Sequence, residues 1–339
     1  MSDSIHQYDA LLVVSFGGPE GMDDVIPFLE NVLRGRNVPR ERMMQVARQY
    51  EQFGGVSPIN QQNRNLIVAL EAELQTNGPQ LPIYWGNRNW HPLLTDTIQK
   101  MTEEGVKKAL AFVTSAYSSY SSCRQYLQNI SDGRSAVGPA SPEIHKLRAF
   151  YNHPLFIEAN VDHVRAALDT LGPSAARAHL VFTAHSIPES MAENCDYANQ
   201  LREASRLVAG AIGIDNWEVV YQSRSGPPNQ PWLEPDVCDY LNYLGMQGVT
   251  NVVLSPIGFI SDHMEVIYDL DVQAKQVAEG LGIRLARATT ASTHPLFVKM
   301  IRELMLERIA GAPARFLGDH GPGHDVCSPT CCLPKKTTE

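Results

Sequence analysis

The sequence predicts an α/β protein made of two similar units, each a parallel sheet flanked by helices. Short apolar runs alternate with longer amphipathic runs along the chain, and this alternation indicates βαβ units. The second half repeats the scheme after an interruption near residues 150–175, where Gly172-Pro173-Ser174 breaks the pattern. We therefore expect two α/β domains with a cleft between them.

The predicted elements alternate in both halves of the chain. Strands are expected at residues 9–15, 81–85, 108–114, 178–183, 217–222 and 251–256. Helices are expected at residues 65–74, 93–104, 196–210 and 238–246. Residues 311–339 are rich in Gly and Pro and have no periodicity, so they are interpreted as an extended tail.

Two internal echoes suggest that the two halves arose by duplication. The tetrapeptide HPLF occurs at residues 153–156 and again at residues 294–297. A Gly-Val pair precedes a predicted strand at residues 105–106 and again at residues 248–249. Both echoes are short, and a chance match is the alternative explanation.

The composition of the 339 residues is that of a globular protein, with 43% hydrophobic and 19% charged residues. The net charge of −9 disfavours a nucleic-acid binder, which usually carries a basic field. The sequence contains no run of about 18 apolar residues that would span a bilayer. Residues 1–8 are polar and carry no Lys or Arg, unlike a secretory signal, so we expect a cytoplasmic location.

Ligands of open α/β sheets bind beyond the carboxyl ends of the strands, so the loops that follow the predicted strands are candidate sites. His185 lies directly after the strand at residues 178–183. An imidazole there can accept a proton at neutral pH and can bind a divalent metal ion. The alternative is a loop histidine held by a local hydrogen bond.

An acidic helix is predicted after the strand at residues 251–256. Ser261 or Asp262 is a suitable N-cap, and Glu265 and Asp269 would share one helical face at i, i+4. Carboxylates stacked in this way destabilise a helix unless a cation or a polar partner compensates them. The alternative is an acidic first turn favoured by the helix dipole, which explains Asp262 but not Asp269 or Asp271.

Aromatic and basic residues follow several predicted strands, and they could bind a flat acidic ligand or form an ordinary edge of the core. They are Arg88, Trp90, His91, Tyr117, Tyr120, Tyr126 and Trp232. The Gly-containing loop at residues 53–60 lacks the G-x-G-x-x-G spacing and a following P-loop lysine, so nucleotide binding is unsupported.

Three of the six cysteines, Cys327, Cys331 and Cys332, lie within six residues of the tail. Six cysteines in a chain of this length do not indicate a disulfide scaffold, and such a group favours metal or cluster ligation. Cys123, in the Ser-rich loop after residue 114, is available as a fourth ligand. The alternative is a reactive tail without a metal.

Taken together, six segments resemble the ferrochelatase family over nearly the whole chain, in the family's order and approximate spacing. They are Ser15-Phe16-Gly17-Gly18-Pro19, Gly54-Gly55-Val56-Ser57-Pro58, Thr183-Ala184-His185-Ser186, Gln222-Ser223-Arg224, Pro231-Trp232-Leu233 and Ser261-Asp262-His263-Met264-Glu265. Residues 34–36 (Arg-Gly-Arg) and 50–55 are most similar to the branch that metallates coproporphyrin III.

The resemblance implies two Rossmann-like domains, at residues 1–165 and 175–310, with a porphyrin cleft between them and a cysteine-containing tail at residues 311–339. It implies insertion of ferrous iron into a porphyrin in haem synthesis. The alternatives are protoporphyrin IX as the substrate, a cobalt chelatase and a porphyrin carrier without turnover. We expect no nucleic-acid partner, and a transient partner from the haem pathway stays open.

The resemblance also implies roles for individual residues. His185 and Glu265 would handle the metal ion and the protons, and Asp269 would continue an acidic path for the incoming cation. The implied porphyrin contacts are Ser57, Tyr126, Tyr50, Arg88, Trp232 and Phe16. Some members have an iron-ligating tyrosine at position 16, which Phe16 cannot replace, and some have a carboxylate where Gln273 stands. Cys123, Cys327, Cys331 and Cys332 resemble the ligands of the family's [2Fe–2S] cluster.

Overall fold

Two parallel four-stranded sheets, each flanked by helices, form the fold and confirm the predicted class. The structure is a computed structural model that describes residues 8–35, 38–227 and 229–334, so Arg36 lies outside the described residues. The first sheet has the order β2-β1-β3-β4 and the second the order β6-β5-β7-β8, so the two halves share one topology. The strands are β1 (Ala10–Ser15), β2 (Ile83–Asn87), β3 (Lys108–Val113), β4 (Glu143–Lys146), β5 (His179–His185), β6 (Trp217–Gln222), β7 (Asn251–Ser255) and β8 (Arg284–Arg287).

Helices cover both faces of the sheets and connect successive parallel strands. The α-helices are α1 (Met22–Val32), α2 (Arg40–Glu51), α3 (Ile59–Asn77), α4 (Leu94–Glu103), α5 (Gln125–Val137), α6 (Pro154–Leu171), α7 (Glu189–Ala192), α8 (Tyr197–Ile212), α9 (Val237–Met246), α10 (Met264–Val266), α11 (Lys275–Gly280) and α12 (Pro295–Ala310). Two segments are π-helical, Tyr120–Arg124 before α5 and Ile267–Ala274 between α10 and α11. Gly172–Arg177 forms a 3₁₀ turn.

The six predicted strands and four predicted helices are all present, with ends shifted by a few residues. The prediction omitted β4 and β8, which lie at the edges of the two sheets. Each has only four residues, and charged or imidazole side chains occupy much of it. A strand this short and polar carries too little alternation to be distinguished from a loop.

The HPLF echo marks the same helix-capping arrangement in both halves. His153 is the N-cap of α6, and its Nδ1 accepts a hydrogen bond of 3.2 Å from the backbone N–H of Leu155. His294 is the N-cap of α12, and its Nδ1 accepts one of 3.3 Å from Leu296. Pro occupies the first turn of each helix, where its missing N–H has no intrahelical partner to lose. The echo is therefore a shared local structure.

Contacts between the halves are both apolar and polar. The buried Tyr117, after β3, donates a hydrogen bond of 2.9 Å to the backbone carbonyl of Ile257, after β7. Helix α12 packs against α3 and α6, and α6 packs against α8, β7 and β8. The predicted division near residues 165–175 falls at the end of α6, and the domain limits stay a prediction. Among the described residues, no helix is long and apolar enough to cross a membrane.

The tail turns back along the loop that follows β4. Asn152 donates hydrogen bonds to the carbonyls of Leu317 (3.1 Å) and Gly321 (2.8 Å), and its own carbonyl accepts one from the Leu317 N–H at 2.9 Å. The buried Arg148 also donates to the carbonyl of Arg315 at 2.9 Å. These bonds compensate for the absence of helix and strand in residues 311–334.

Candidate active site at the carboxyl ends of the strands

His185 is the last residue of β5, a central strand whose neighbours β6 and β7 are also parallel to it. Its Nδ1 lies 2.5 Å from the backbone carbonyl of Ser186. Because a carbonyl can only accept, Nδ1 carries the proton in this contact. The neutral ring then presents the lone pair of Nε2 away from the backbone, which is the form needed to accept a proton or bind a metal ion.

Glu265 faces this lone pair. The Nε2 atom of His185 lies 3.5 Å from Oε2 of Glu265, and the two side chains are 33% and 46% exposed. The imidazole lone pair and the carboxylate oxygen repel each other at this distance, and a proton or a cation between or beside them would remove that repulsion. The pair can therefore hold a proton or a divalent ion, and it can exchange either with bulk water through its exposed side.

The segment that carries Glu265 differs from the predicted regular helix. His263 is the N-cap of α10, and no side chain caps the first turn, so the prediction of Ser261 or Asp262 as the cap was wrong. The chain is π-helical from Ile267 to Ala274. A π-helix has i→i+5 hydrogen bonds and is frequent at functional sites. The predicted i, i+4 alignment of Glu265 and Asp269 is thus changed, although the two carboxylates still interact electrostatically.

Asp269 lies on the π-helical segment and faces the end of β6. Its Oδ2 accepts a hydrogen bond of 2.5 Å from the Ser223 hydroxyl and one of 3.4 Å from the Gln222 amide. Burial raises the pKa of Asp269 to about 6, the Ser223 hydrogen bond opposes this rise, and the negative charge of Glu265 adds to it. Asp269 therefore changes its charge near neutral pH.

His263 lies between Asp262 and Glu265, but no sequence pattern assigned it to the site. Its ring lies 5.1 Å from that of Phe259, in an edge-to-face arrangement. Burial lowers the pKa of His263, and the charges of Glu265 and His185 both act on it. His263 is thus a second imidazole beside the His185–Glu265 pair.

Three of the predicted porphyrin contacts lie together at the carboxyl edge of the first sheet. The guanidinium of Arg88 lies over the ring of Tyr126 at 4.6 Å and over that of Phe16 at 5.6 Å. Phe16 follows β1, Arg88 follows β2, and Tyr126 is in α5. A cation stacked between aromatic faces gives a flat surface that carries a positive charge.

The loop with Ser57 packs against the loop after β1. Ser57 is buried, and its backbone N–H donates to the carbonyl of Pro19 at 2.8 Å. A Cβ at Gly18 would lie 2.7 Å from the Cβ of Ser57, so only glycine allows this approach. Gly55 has a φ of +76°, and a Cβ there would lie 2.6 Å from the Met22 nitrogen. The glycines of both motifs therefore permit close packing of two loops.

Tyr50 and Trp232 are also buried, at 7% and 8% exposure. Burial, and secondarily the charge of Glu265, raise the pKa of Tyr50, so Tyr50 lies within electrostatic reach of the second half. Trp232 packs against Gly226, where an added Cβ would lie 2.3 Å from its Nε1. The porphyrin contacts of Ser57, Tyr50, Tyr126, Arg88, Trp232 and Phe16 stay predictions.

The three tail cysteines and Cys123, which lies in the π-helical segment before α5, form two close pairs. The Sγ atoms of Cys123 and Cys327 are 4.0 Å apart, and those of Cys331 and Cys332 are 3.5 Å apart. Electrostatic interactions also connect Cys327 with Cys331 and Cys332 with Cys123. Over the described part of the chain, no group of three or more His, Cys, Asp or Glu is placed to hold a single metal ion.

We predict that the free energy of unfolding of Asp269→Asn, relative to that of the wild type, increases as the pH rises. The folded protein binds a proton at Asp269 up to about pH 6, whereas the ordinary aspartate pKa is 3.8. Unfolding therefore releases that proton, and the free energy of unfolding decreases with pH in this window. Urea unfolding should show a relative gain for the variant on the order of 1–3 kcal/mol between about pH 4 and pH 7.

The control for this measurement is Asp132→Asn, which changes an exposed aspartate of α5. Its difference from the wild type should be nearly the same at both pH values. A pH-independent difference for Asp269→Asn would show that Asp269 is charged throughout the range.

Comparisons with known proteins identify the family of the chain. Residues 8–309 match the family model described as ferrochelatase. A ferrochelatase of Rhodopirellula baltica is 56% identical over 328 residues, covering 96% of this chain and 93% of the relative. A coproporphyrin III ferrochelatase of Nocardia farcinica is 50% identical over 342 residues, covering 97% of each chain.

Among solved structures, SirB from Bacillus subtilis with Fe³⁺ has a similar fold, with a TM-score of 0.56 and 11% sequence identity. The alignment covers 89% of this chain and 97% of SirB. At this identity the likeness concerns the fold alone. The match of the family model over residues 8–309 and the identity to its curated relatives show that the chain belongs to the ferrochelatase family, whose members are enzymes that insert iron into a porphyrin.

Proposed function

We propose that this enzyme inserts ferrous iron into coproporphyrin III and that His185 and Glu265 perform the transfer. The observation that carries the assignment is the 3.5 Å approach of the His185 Nε2 atom to the Glu265 carboxylate at the carboxyl edge of the second sheet. The choice of coproporphyrin rests on residues 34–35 and 50–55 and on the name of the Nocardia farcinica relative.

The reaction requires a base because a free-base porphyrin must lose two N–H protons when the metal binds its four nitrogens. His185 accepts one proton at Nε2, since its Nδ1 proton is held by the Ser186 carbonyl. Glu265 stabilises the imidazolium that forms and accepts or passes on the second proton. Both side chains are partly exposed, so the protons can leave to solvent.

The ferrous ion approaches along the acidic side of the π-helical segment. Asp269 and Glu265 offer carboxylate oxygens in succession, and Asp269 carries its charge above about pH 6. The ion exchanges water for these ligands and then for the pyrrole nitrogens. Protonation of Asp269 at lower pH weakens the path, because a neutral carboxyl group attracts a cation poorly.

The porphyrin lies in the cleft between the two domains, at residues 1–165 and 175–310. The flat surface of Phe16, Arg88 and Tyr126 stacks on the macrocycle and attracts its propionates. Ser57, Tyr50 and Trp232 complete the contact set. Binding energy at the propionates offsets the distortion that exposes the pyrrole nitrogens to the metal.

The tail, residues 311–339, would contribute three ligands of a [2Fe–2S] cluster, Cys327, Cys331 and Cys332, and Cys123 would be the fourth. Two thiolates on one tetrahedral iron lie about 3.8 Å apart when the metal–sulfur bonds are about 2.3 Å. The Sγ separations of 4.0 Å for Cys123 and Cys327 and 3.5 Å for Cys331 and Cys332 lie on either side of this value, so the residues fit the group. Cys332 has a positive φ of 51°, and its thiol remains close to that of the adjacent Cys331.

A bound [2Fe–2S] cluster supplies one-electron redox chemistry. The chain's own contribution is to hold the tail against the loop at residues 148–152 through the contacts of Asn152 and Arg148. We also propose a cytoplasmic location and a transient partner from the haem pathway.

The substrate is tested by anaerobic metallation. Purified enzyme and ferrous iron are mixed with coproporphyrin III or protoporphyrin IX, and the Soret band is followed. We expect fast metallation of coproporphyrin III because its four propionates can engage the basic edge at more points. Preference for protoporphyrin IX would overturn the substrate, and failure with both would overturn the assigned reaction.

His185→Ala should lower kcat by about 10²- to 10⁴-fold, because the reaction loses its base, while the Kd for coproporphyrin III changes little. Stopped-flow metallation and fluorescence titration give the two values. The matched control is His179→Ala, a histidine at the opposite end of the same strand, which should retain turnover. Normal turnover of the His185→Ala variant would refute the assignment.

Cys327→Ser should abolish the visible absorption of the iron–sulfur cluster and reduce bound iron and sulfide after anaerobic reconstitution. Three thiolates and a serine hydroxyl bind the two irons poorly. Cys238→Ser, in α9, is the control and should keep the absorption. A wild-type chain that takes up no sulfide would contradict the cluster, whatever its iron-insertion activity.

A further inference from the structure

Arg287 connects the two ends of the acidic segment that carries Glu265 and Asp269. It is the last residue of the edge strand β8. Its Nε lies 2.6 Å from Oδ1 of Asp271, and its Nη2 lies 3.1 Å from Oδ2 of the same residue. Its Nη1 and Nη2 lie 3.2 and 3.1 Å from the two oxygens of Asp262.

The two bound carboxylates flank the site in sequence and in space. Asp262 precedes α10 and Asp271 is within the π-helical segment, so the arginine bridges the start and the interior of residues 262–274. The backbone N–H of Asp262 also donates to the Gln62 side chain of α3 at 2.9 Å, which ties the same point to the first half. A bidentate guanidinium is directional, so it fixes distance as well as charge.

Arg287 pairs with only two of the four carboxylates in residues 262–274. Asp262 and Asp271 share one cation, and the side chains of Arg287 and Asp262 are only 18% and 16% exposed. Glu265 and Asp269 point instead toward His185 and Ser223. Of these four carboxylates, only Glu265 and Asp269 are left to attract an incoming cation at the site.

We propose that Arg287 is a positioning residue for iron insertion. It holds α10 and the π-helical segment so that Glu265 faces His185 and Asp269 faces Ser223, and it keeps Asp262 and Asp271 from competing for the ferrous ion. The inference rests on the proposed function of the His185–Glu265 pair, and it adds a residue whose side chain touches neither substrate.

A purely structural ion pair would behave differently when it is removed. Loss of a half-buried arginine always leaves carboxylates without a partner and lowers stability. If stability were its only role, the fraction of enzyme that stays folded would turn over normally. A positioning role requires that folded enzyme binds iron but inserts it slowly.

The test compares Arg287→Gln, Arg287→Lys and the double variant Arg287→Gln/Asp271→Asn with the wild type. The matched control is Arg302→Gln, because Arg302 is 22% exposed and binds the Asn77 and Gly78 carbonyls at the C-terminal end of α3, the opposite end from Gln62 and the acidic segment. Initial metallation rates are measured against iron and against coproporphyrin III, with ferrous-ion binding by anaerobic calorimetry in the absence of porphyrin and thermal unfolding of each variant.

We expect Arg287→Gln to lower kcat/KM for iron by about 10- to 100-fold, mainly through kcat, with the KM for porphyrin nearly unchanged. Ferrous ion should bind at least as tightly as to the wild type, because two carboxylates have been released. The kcat/KM of Arg287→Lys for iron should lie between those of the wild type and Arg287→Gln, because lysine keeps the positive charge but cannot form the bidentate contacts of a guanidinium. The kcat/KM of the double variant for iron should be several-fold higher than that of Arg287→Gln, because Asp271→Asn removes the repulsion between the Asp262 and Asp271 carboxylates.

Three results would overturn the proposal, all in a background where the wild type metallates porphyrin. They are wild-type kinetics of Arg287→Gln, a double variant no faster than the single one, and an equal loss of kcat in Arg302→Gln at equal thermal stability. A wild type without turnover would instead overturn the proposed function, and the calorimetric arm would still report whether Arg287 limits cation binding.

Discussion

The parallel direction of every strand is the constraint on which the site depends. In both sheets all neighbouring pairs are parallel, so the carboxyl ends of β1, β3, β5 and β7 open toward one edge of their sheet. Parallel strands require crossover connections, and the loops at this edge are the ends of those connections. His185 at the end of β5 and Gln222 at the end of β6, far apart in sequence, are therefore register partners at one edge of the second sheet.

Within that region, backbone geometry determines what each side chain can do. The Ser186 carbonyl selects the tautomer of His185, and the tautomer decides which nitrogen offers its lone pair to Glu265. The positive φ of Ser223, 62°, ends β6 and aims the hydroxyl at Asp269. A non-glycine residue in this conformation is strained, and such strain is concentrated at functional positions.

The distribution of charge follows the same principle. The acidic segment would be unstable if its four carboxylates were left in a half-buried setting without compensation. Arg287 compensates two of them, and Ser223 and Gln222 donate to a third. Glu265, which is 46% exposed against 16% for Asp262 and 38% for Asp271, is left beside His185. The fold thus places the Glu265 carboxylate beside the His185 imidazole, where we propose that the cation is handled.

The sequence by itself determined the fold class, the strands β1–β3 and β5–β7, the helices α3, α4, α8 and α9, and the strand-end position of His185. These features depend on local apolar periodicity and on glycine and proline signals, which a single chain displays openly. The edge strands β4 and β8 were not predicted because they are short and polar. Arg287, the partner of Asp262 and Asp271, lies in β8, so its role was not predicted either.

The tertiary structure alone decided the tautomer of His185, the π-helical turn, the pairing of Arg287 and the return of the tail to Cys123. Each of these depends on contacts between residues that are distant in sequence; Cys123 and Cys327 are 204 positions apart. Spacing can show that a thiol or a carboxylate is available. Only packing fixes which groups meet, because the free energy of those contacts arises from burial and geometry that no local pattern encodes.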